Sequence, residues 1–171
     1  VAFSLFHIYT GGFRALVAYE QRGVHLTFVL TLIFLLFPYR KGRKISWLDV
    51  GLAVLSAAAG AYLVIDADGI TDRIGVPILP DLIVGGAAVL LVLEATRRAV
   101  GAAIAVLAAI VLLYAPFGYL APLSFVHQGY SVERIISQMS LATEGIFGVP
   151  LGVSATFIIL FTIFGAVLEA S

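Results

Sequence analysis

Long apolar runs separated by short clusters of charge are the feature that most constrains how this chain can fold. A helix needs about 20 mostly apolar residues to cross the hydrocarbon core of a bilayer. Six runs approach that length, and we expect each to form a membrane helix: Val1–Val17, Val24–Tyr39, Ile45–Ile65, Pro80–Ala95, Ala99–Leu120 and Gly148–Leu168. The short polar stretch Tyr19–Arg22 lies between the first two runs. The predicted fold class is therefore an all-α integral membrane protein with about six transmembrane helices.

The residue composition excludes several classes of function. Hydrophobic residues make up 61% of the chain and charged residues only 12%, about half the charged share of a soluble domain. Ten basic and ten acidic residues cancel, so no excess of positive charge is available to bind nucleic acid. The sequence has no cysteine, which excludes disulfides, thiolate metal sites and a cysteine nucleophile.

The ends of the sequence lie close to apolar runs. Val1 is already inside one run, and Ser171 directly follows another. The first run has no charged segment before it, so a cleavable secretory signal is not indicated. We expect the chain to be a fragment of a longer protein.

The distribution of Lys and Arg predicts which loops face the cytoplasm. The candidate cytoplasmic interface consists of Arg40, Lys41, Arg43, Lys44, Glu94, Arg97 and Arg98. The acidic loop that contains Asp66 and Asp68 should face outward, which places the amino terminus inside. Arg14 and Arg22 would then lie on the outer side, against the usual pattern.

Carboxylates near helix ends have structural explanations. Glu94 precedes Arg97 and Arg98 by three and four residues, the spacing of an ion pair on one helix face. Contact with lipid headgroups or a role in ion coupling are the alternatives. Asp49 and Asp81 lie in the first turns of predicted helices, where a carboxylate complements the helix dipole.

A short amphipathic helix is predicted between the fifth and sixth runs. Its apolar face has helical spacing and consists of Val132, Ile135, Ile136 and Met139. Its polar face consists of Ser131, Glu133, Arg134, Ser137 and Gln138. A helix of this length should lie along the outer interface, with Ser131 as the amino-terminal cap.

The most unusual segment lies around the start of the sixth run. Three glycines and a proline fall between Gly145 and Gly152, which indicates a broken or late-starting helix. Such a break can direct backbone dipoles at a solute, or Gly148 and Gly152 can form a close-packing pair, which we favour. The candidate residues for the break and the packing are Glu144, Gly145, Gly148, Pro150 and Gly152.

Motifs of known enzymes are absent from the sequence. It contains no G-x-S-x-G, no H-E-x-x-H and no phosphate-binding loop. His7, His25 and His127 lack the spacing of a metal site, and we expect His25 to lie at a membrane interface. No catalytic residue, metal ligand or enzymatic activity is predicted.

Essentially the whole sequence resembles a family of membrane transporters, and the segment from Thr143 is the most specific part. The segment TEGIFGVPLGVSATFIILFTIFGAVLEAS, preceded by GYSVERIISQMSLA, resembles the start of the large membrane domain in fused permeases of TRAP transporters. The branch served by TAXI-type binding proteins is the most similar. Upstream, VHLTFVLTLIFLLFPYRKGRKISWLDVGLAVLSAAAGAYLVI and DLIVGGAAVLLVLEATRRAVG are similar to the small Q-type domain.

The resemblance implies a division into three parts and a mode of transport. Residues 1–98 would be the Q-like domain with four helices, 99–142 a linker with the interfacial helix, and 143–171 the first helix of the large M-like domain. The complete protein would import a small organic anion together with sodium across a bacterial or archaeal cytoplasmic membrane. Its partners would be the rest of the large domain and a periplasmic TAXI-type solute-binding protein. Ligands for solute and sodium are expected beyond Ser171, and no other cofactor is implied.

Two other classes of protein remain open. The chain could be a structural or assembly subunit of a different membrane complex. A membrane-embedded lipid-modifying enzyme is the other alternative, and it would need a catalytic loop rich in His and Asp or in Arg, which we do not find.

Overall fold

The computed structural model of the chain describes residues 1–39, 44–120 and 126–171, and the regular structure in these ranges is entirely helical. The helices are α1 (Ala2–Gly12), α2 (Ala18–Leu36), α3 (Trp47–Ile65), α4 (Ala67–Asp72), α5 (Leu79–Ala99), α6 (Ala102–Phe117), α7 (Val132–Ile136), α8 (Val149–Val153) and α9 (Ile159–Ala170). One 3-10 turn, Gly118–Leu120, extends α6. Two π-helical turns, Ser137–Leu141 and Ser154–Ile158, extend α7 and join α8 to α9. The predicted all-α class is confirmed.

Four helices of the described chain are long and apolar enough to cross a membrane. They are α3, α5, α6 with its 3-10 turn, and the continuous helix Val149–Ala170. The first two predicted spans differ from this pattern. α1 ends at Gly12 rather than near Val17. α2 begins at Ala18 rather than near Val24, so the polar stretch Tyr19–Arg22 is part of this helix. Glu20 in the first turn of α2 complements the dipole at that end.

The core of the bundle lies between α2, α3 and α5. Leu30 and Phe34 of α2 pack with Leu63 of α3 and Leu91 of α5 in one buried cluster. α2 and α3 approach closely at Gly60, where an added Cβ would lie 1.8 Å from Oγ1 of Thr27. Small residues permit such close backbone packing between membrane helices.

A buried ion pair joins the start of α3 to the end of α5. Nη1 of Arg98 lies 2.6 Å from Oδ1 of Asp49 and also donates to the carbonyl oxygen of Phe37. Asp49 caps α3 together with Ser46, as its position in the first turn predicts. The inter-helix pair was not expected, because the two residues are far apart in the sequence.

The predicted ion pairs of Glu94 are present on the same turn of α5. Its carboxylate lies 2.7 Å from Nε of Arg97 and 2.7 Å from Nε of Arg98. Lys44 lies just before α3. The other members of the candidate cytoplasmic interface, Arg40, Lys41 and Arg43, lie outside the described residues.

A second charged cluster ties the opposite ends of α3 and α5 together. Nη2 of Arg73 lies 2.6 Å from Asp66 and 3.1 Å from Asp81. Asp81 also accepts the backbone N–H of Ile78, the capping role predicted for it, and the hydroxyl of Tyr62 at 2.7 Å. Because Arg73 donates to two carboxylates, its pKa is raised above the usual arginine value.

The amphipathic helix forms as α7, with Ser131 as its cap, but its buried face differs from the prediction. The π turn after Ile136 carries the helix on to Leu141 and against α5. Ser137, Ser140 and Leu141 become buried, whereas Val132 is 63% exposed. The assignment of Ser137 to the exposed polar face is therefore wrong, because the turn that begins at Ser137 packs against α5.

Candidate functional site: the helix break and its buried polar network

The predicted helix break lies between the first π turn and α8. After Leu141 the chain leaves the helix, and the N–H of Ile146 donates back to the carbonyl of Met139 at 2.8 Å. A Cβ on Gly145 would lie 2.5 Å from the Cα and the carbonyl oxygen of Met139. The helix resumes at Val149, with Pro150 in its first turn as predicted. Only glycine fits at position 145, because a larger residue would strike backbone atoms.

The two glycines of the predicted packing pair, Gly148 and Gly152, make different contacts. A Cβ on Gly148 would lie 2.8 Å from the carbonyl oxygen of Glu144, within the same turn. A Cβ on Gly152 would instead lie 2.8 Å from Nε of Arg22 on α2. Gly148 thus permits the local turn, and Gly152 permits the approach of α2. The side chain of Glu144 is exposed and accepts a hydrogen bond from Gln138, away from this helix contact.

Two buried histidines connect α1, α2 and the second π turn. Nδ1 of His7 lies 2.8 Å from the carbonyl oxygen of Phe3, and Nε2 of His7 lies 2.9 Å from Nδ1 of His25. Nε2 of His25 lies 3.2 Å from the hydroxyl of Ser154. The two histidines are only 1% and 3% exposed. They form one continuous polar chain rather than the scattered set that the sequence suggested, and His25 is not at a surface.

The hydrogen bonds assign the proton positions on both imidazole rings. A carbonyl oxygen only accepts, so Nδ1 of His7 carries a proton, and in the neutral ring its Nε2 is then an acceptor. Nδ1 of His25 therefore donates to His7, and Nε2 of His25 accepts the hydroxyl proton of Ser154. Every ring nitrogen has a partner while both rings are uncharged. A neutral network of this kind suits a helix bundle inside a membrane, where an unpaired charge is costly.

A buried glutamine of α2, Gln21, forms a second contact with the π turn Ser154–Ile158. Nε2 of Gln21 donates to the hydroxyl of Thr10 at 3.1 Å and to the carbonyl oxygen of Ala155 at 3.2 Å. Oε1 of Gln21 has no hydrogen-bond partner within the described ranges. Gln21 also lines a small cavity of about 110 Å³, together with His7 and Thr156 among others. Thr156 itself donates to the carbonyl oxygen of Gly152 in its own helix.

An arginine lies beside the restart of the helix. Nη1 of Arg22 donates to the carbonyl oxygen of Phe147 at 2.6 Å. The guanidinium borders an open cleft of about 360 Å³, which we call the Arg22 cleft. Its lining includes Leu16, Gln21, Arg22, Val149, Gly152 and Phe157. The sequence did not mark Gln21 or Arg22 as site residues, although their place in a polar stretch before an apolar run was a usable signal.

The hydrogen bonds of these residues hold the helix break in place. Within residues 1–39, 44–120 and 126–171, no group of three or more His, Cys, Asp or Glu side chains could hold a metal ion. In the same ranges the hydrogen bonds of His7 and His25 go to neutral groups. The arrangement joins two helices to an interrupted third helix through the neutral hydrogen bonds of His7, His25 and Gln21 and the charged hydrogen bond of Arg22.

Comparison of the chain with protein-family models, with curated proteins and with solved structures finds no match.

Proposed function

We propose that this chain is the scaffold portion of a binding-protein-dependent secondary transporter of the TRAP type, which imports a small organic anion together with sodium. The proposal rests on the resemblance of Gly129–Ser171 to the start of the large TRAP membrane domain. Four apolar helices of spanning length are consistent with a membrane scaffold. Sodium and solute would bind to later segments of the complete protein.

The observation that carries the proposal is the way the interrupted helix is held. Arg22 of α2 donates to the carbonyl oxygen of Phe147, just before α8. Gln21 and His25 of α2 are hydrogen-bonded to the π turn that follows α8. A transporter that moves one domain against another needs a fixed part, and interrupted helices occur in many transporters. The helix that starts at Val149 would thus be anchored to the α2, α3 and α5 bundle at its amino-terminal end.

The same bundle supports a proposal for the membrane arrangement. α2 packs along α3, so we propose that α1 and α2 are embedded with the four apolar helices and complete six membrane segments. The end of the bundle that carries Lys44, Arg97 and Arg98 would face the cytoplasm, which places the amino terminus inside. The membrane would be the cytoplasmic membrane of a bacterium or archaeon.

A second candidate is a structural or assembly subunit of another membrane complex. Among the described residues, α6 buries only Ala105 and α9 buries no side chain. Such wide apolar surfaces must meet lipid or other membrane helices. They fit a missing transport domain, and they also fit the subunits of an unrelated complex.

A deletion experiment distinguishes the two candidates. Cells that lack the coding segment would be compared with complemented cells for uptake of a panel of radiolabelled small organic acids, in the presence and absence of a sodium gradient. We expect sodium-dependent uptake of at least one acid to disappear and to return on complementation. Unchanged uptake of the whole panel, together with loss of a different membrane complex, would favour the assembly subunit.

A further inference from the structure

The π turn Ser154–Ile158 places one extra residue in the helix that runs from Val149 to Ala170. The N–H of Ile159 donates to the carbonyl oxygen of Ser154, five residues earlier, whereas the hydrogen bond of an α-helix spans four residues. An α-helix turns by about 100° per residue, so α9 is rotated by that angle from its position in an uninterrupted helix. The π turn therefore determines which face of α9 is directed at α1.

Both π turns of the described chain receive a hydrogen bond from the start of α2. Nε2 of Gln21 donates to the carbonyl oxygen of Ala155 in the second turn, and the hydroxyl of Tyr19 donates to the carbonyl oxygen of Ser140 in the first, at 3.1 Å. Ala155 is 1% exposed and Ser140 is fully buried, so water does not reach these carbonyl groups. A π turn is uncommon, and a side chain that inserts into the backbone ladder is a known cause of such an interruption. The π geometry is thus supported from outside its own helix.

The hydroxyl of Ser154 supplies a second support for the turn. Serine and threonine in a helix commonly donate to the carbonyl oxygen four residues earlier, and Thr156 and Thr162 do so. Within the described ranges Ser154 instead contacts Nε2 of His25 on α2, at 3.2 Å. The first residue of the π turn is therefore bonded to the same helix as Ala155.

The two ends of this helix differ in how firmly they are held. Arg22 donates to the carbonyl oxygen of Phe147 just before α8, and the tight turn at Gly145 fixes the same end. α9, by contrast, buries no side chain among the described residues. If the π turn closed to an α-helix, α9 would rotate and α8 would stay in place.

The sequence of α9 permits both rotations. Leu160 packs on α1 at Gly11, where an added Cβ would lie 2.9 Å from Cδ1 of the leucine. Without the extra residue, Ile159 would occupy the place of Leu160 and present another apolar side chain to α1. Residues 159–168 include no charged side chain, so the rotation brings no charge into lipid, where it would be costly.

We propose that the π turn Ser154–Ile158 is a register switch for α9, and that Gln21 and His25 hold it in the π state. While both hydrogen bonds are made, Leu160 faces α1. When α2 moves and both bonds break, the turn closes to an α-helix, α9 rotates by about 100°, and Ile159 faces α1. The inference goes beyond the proposed function, because any membrane helix that packs on α9 would meet a different face in each state.

The test is disulfide formation between α1 and α9 in membranes that contain the chain. The sequence has no cysteine of its own, so each introduced pair reports one contact. The first reporter combines Gly11→Cys with Leu160→Cys, and the second combines Gly11→Cys with Ile159→Cys. The yield of each disulfide after mild oxidation shows which residue of α9 faces α1.

Both reporters are placed in a double variant, Gln21→Met with Ser154→Ala, which removes the two hydrogen bonds from α2 to the π turn. The bond between His7 and His25, which ties α1 to α2, is left in place. Thr162→Val is the control, because its hydroxyl donates within its own helix.

We expect the wild type and the control to form the disulfide at Leu160, and the double variant to shift it to Ile159. Deletion of Thr156 from the double variant removes the extra residue, so it should return the disulfide to Leu160. A disulfide that stays at Leu160 in the double variant before the deletion would overturn the proposal. Loss of both disulfides without recovery on deletion would also overturn it, because the two hydrogen bonds would then only hold the fold together.

Discussion

Removal of one partner from the buried Asp49–Arg98 pair should destabilise the bundle far more than removal of a neighbouring exposed pair. The two side chains are 1% and 2% exposed, and Asp49 also accepts hydrogen bonds from the backbone of Tyr39 and from Ser46. Arg98→Met would therefore leave a buried carboxylate without its counter-charge. Breaking a buried pair in this way costs about 3–5 kcal/mol.

Arg97→Met is the matched control. Arg97 lies one residue away and also pairs with Glu94, but its side chain is 38% exposed. Exposed pairs contribute about 0–1 kcal/mol, so we expect little change. The double variant Asp49→Asn with Arg98→Met removes both charges and should recover part of the loss. The assay is equilibrium unfolding of the detergent-solubilised chain, followed by circular dichroism. Equal unfolding free energies for Arg98→Met and Arg97→Met would refute the reasoning.

Three further predictions concern the helix break, the histidine pair and the topology. Gly145→Ala should lower the thermal midpoint because the new Cβ strikes backbone atoms, whereas Gly165→Ala, with no atom within 4 Å of its Cβ, should not; equal midpoints would contradict the tight turn. His25→Leu should cost about 1–3 kcal/mol of unfolding free energy by leaving the buried His7 ring and the half-buried Ser154 hydroxyl without their partner, and His25→Gln should recover part of it; an unfolding free energy equal to that of wild type for His25→Leu would contradict a stabilising network. A cysteine at Lys44 should react only with reagents that reach the cytoplasm and one at Asp68 only from outside; the reverse labelling would invert the proposed orientation.

Features set by local sequence could be predicted, and features set by tertiary packing could not. The helical class, the caps by Ser131 and Asp49 and the pairing of Glu94 depend on residues within a few positions of one another. The glycine-rich break was predictable for the same reason. The extension of α2 through Gln21 and Arg22 depends on acceptors in a segment more than 120 residues later.

The histidine network shows the same limit at the candidate site. His7, His25 and Ser154 lie on three separate helical segments, and no spacing rule connects them. Each polar residue alone looked like an interruption of an apolar run. Their common role emerges only when α1, α2 and the π turn are packed together.

Transport by reconstituted vesicles tests the central claim most directly. Proteoliposomes would carry either the 171-residue chain alone or the complete permease with its binding protein, and uptake of the acid identified in the deletion experiment would be measured with an inward sodium gradient. We expect uptake by the complete assembly and none by the chain alone, because no site for an organic anion and sodium is assigned to the scaffold. Sodium-driven uptake by the chain alone would contradict the scaffold role, and absence of uptake by the complete assembly would contradict the transporter.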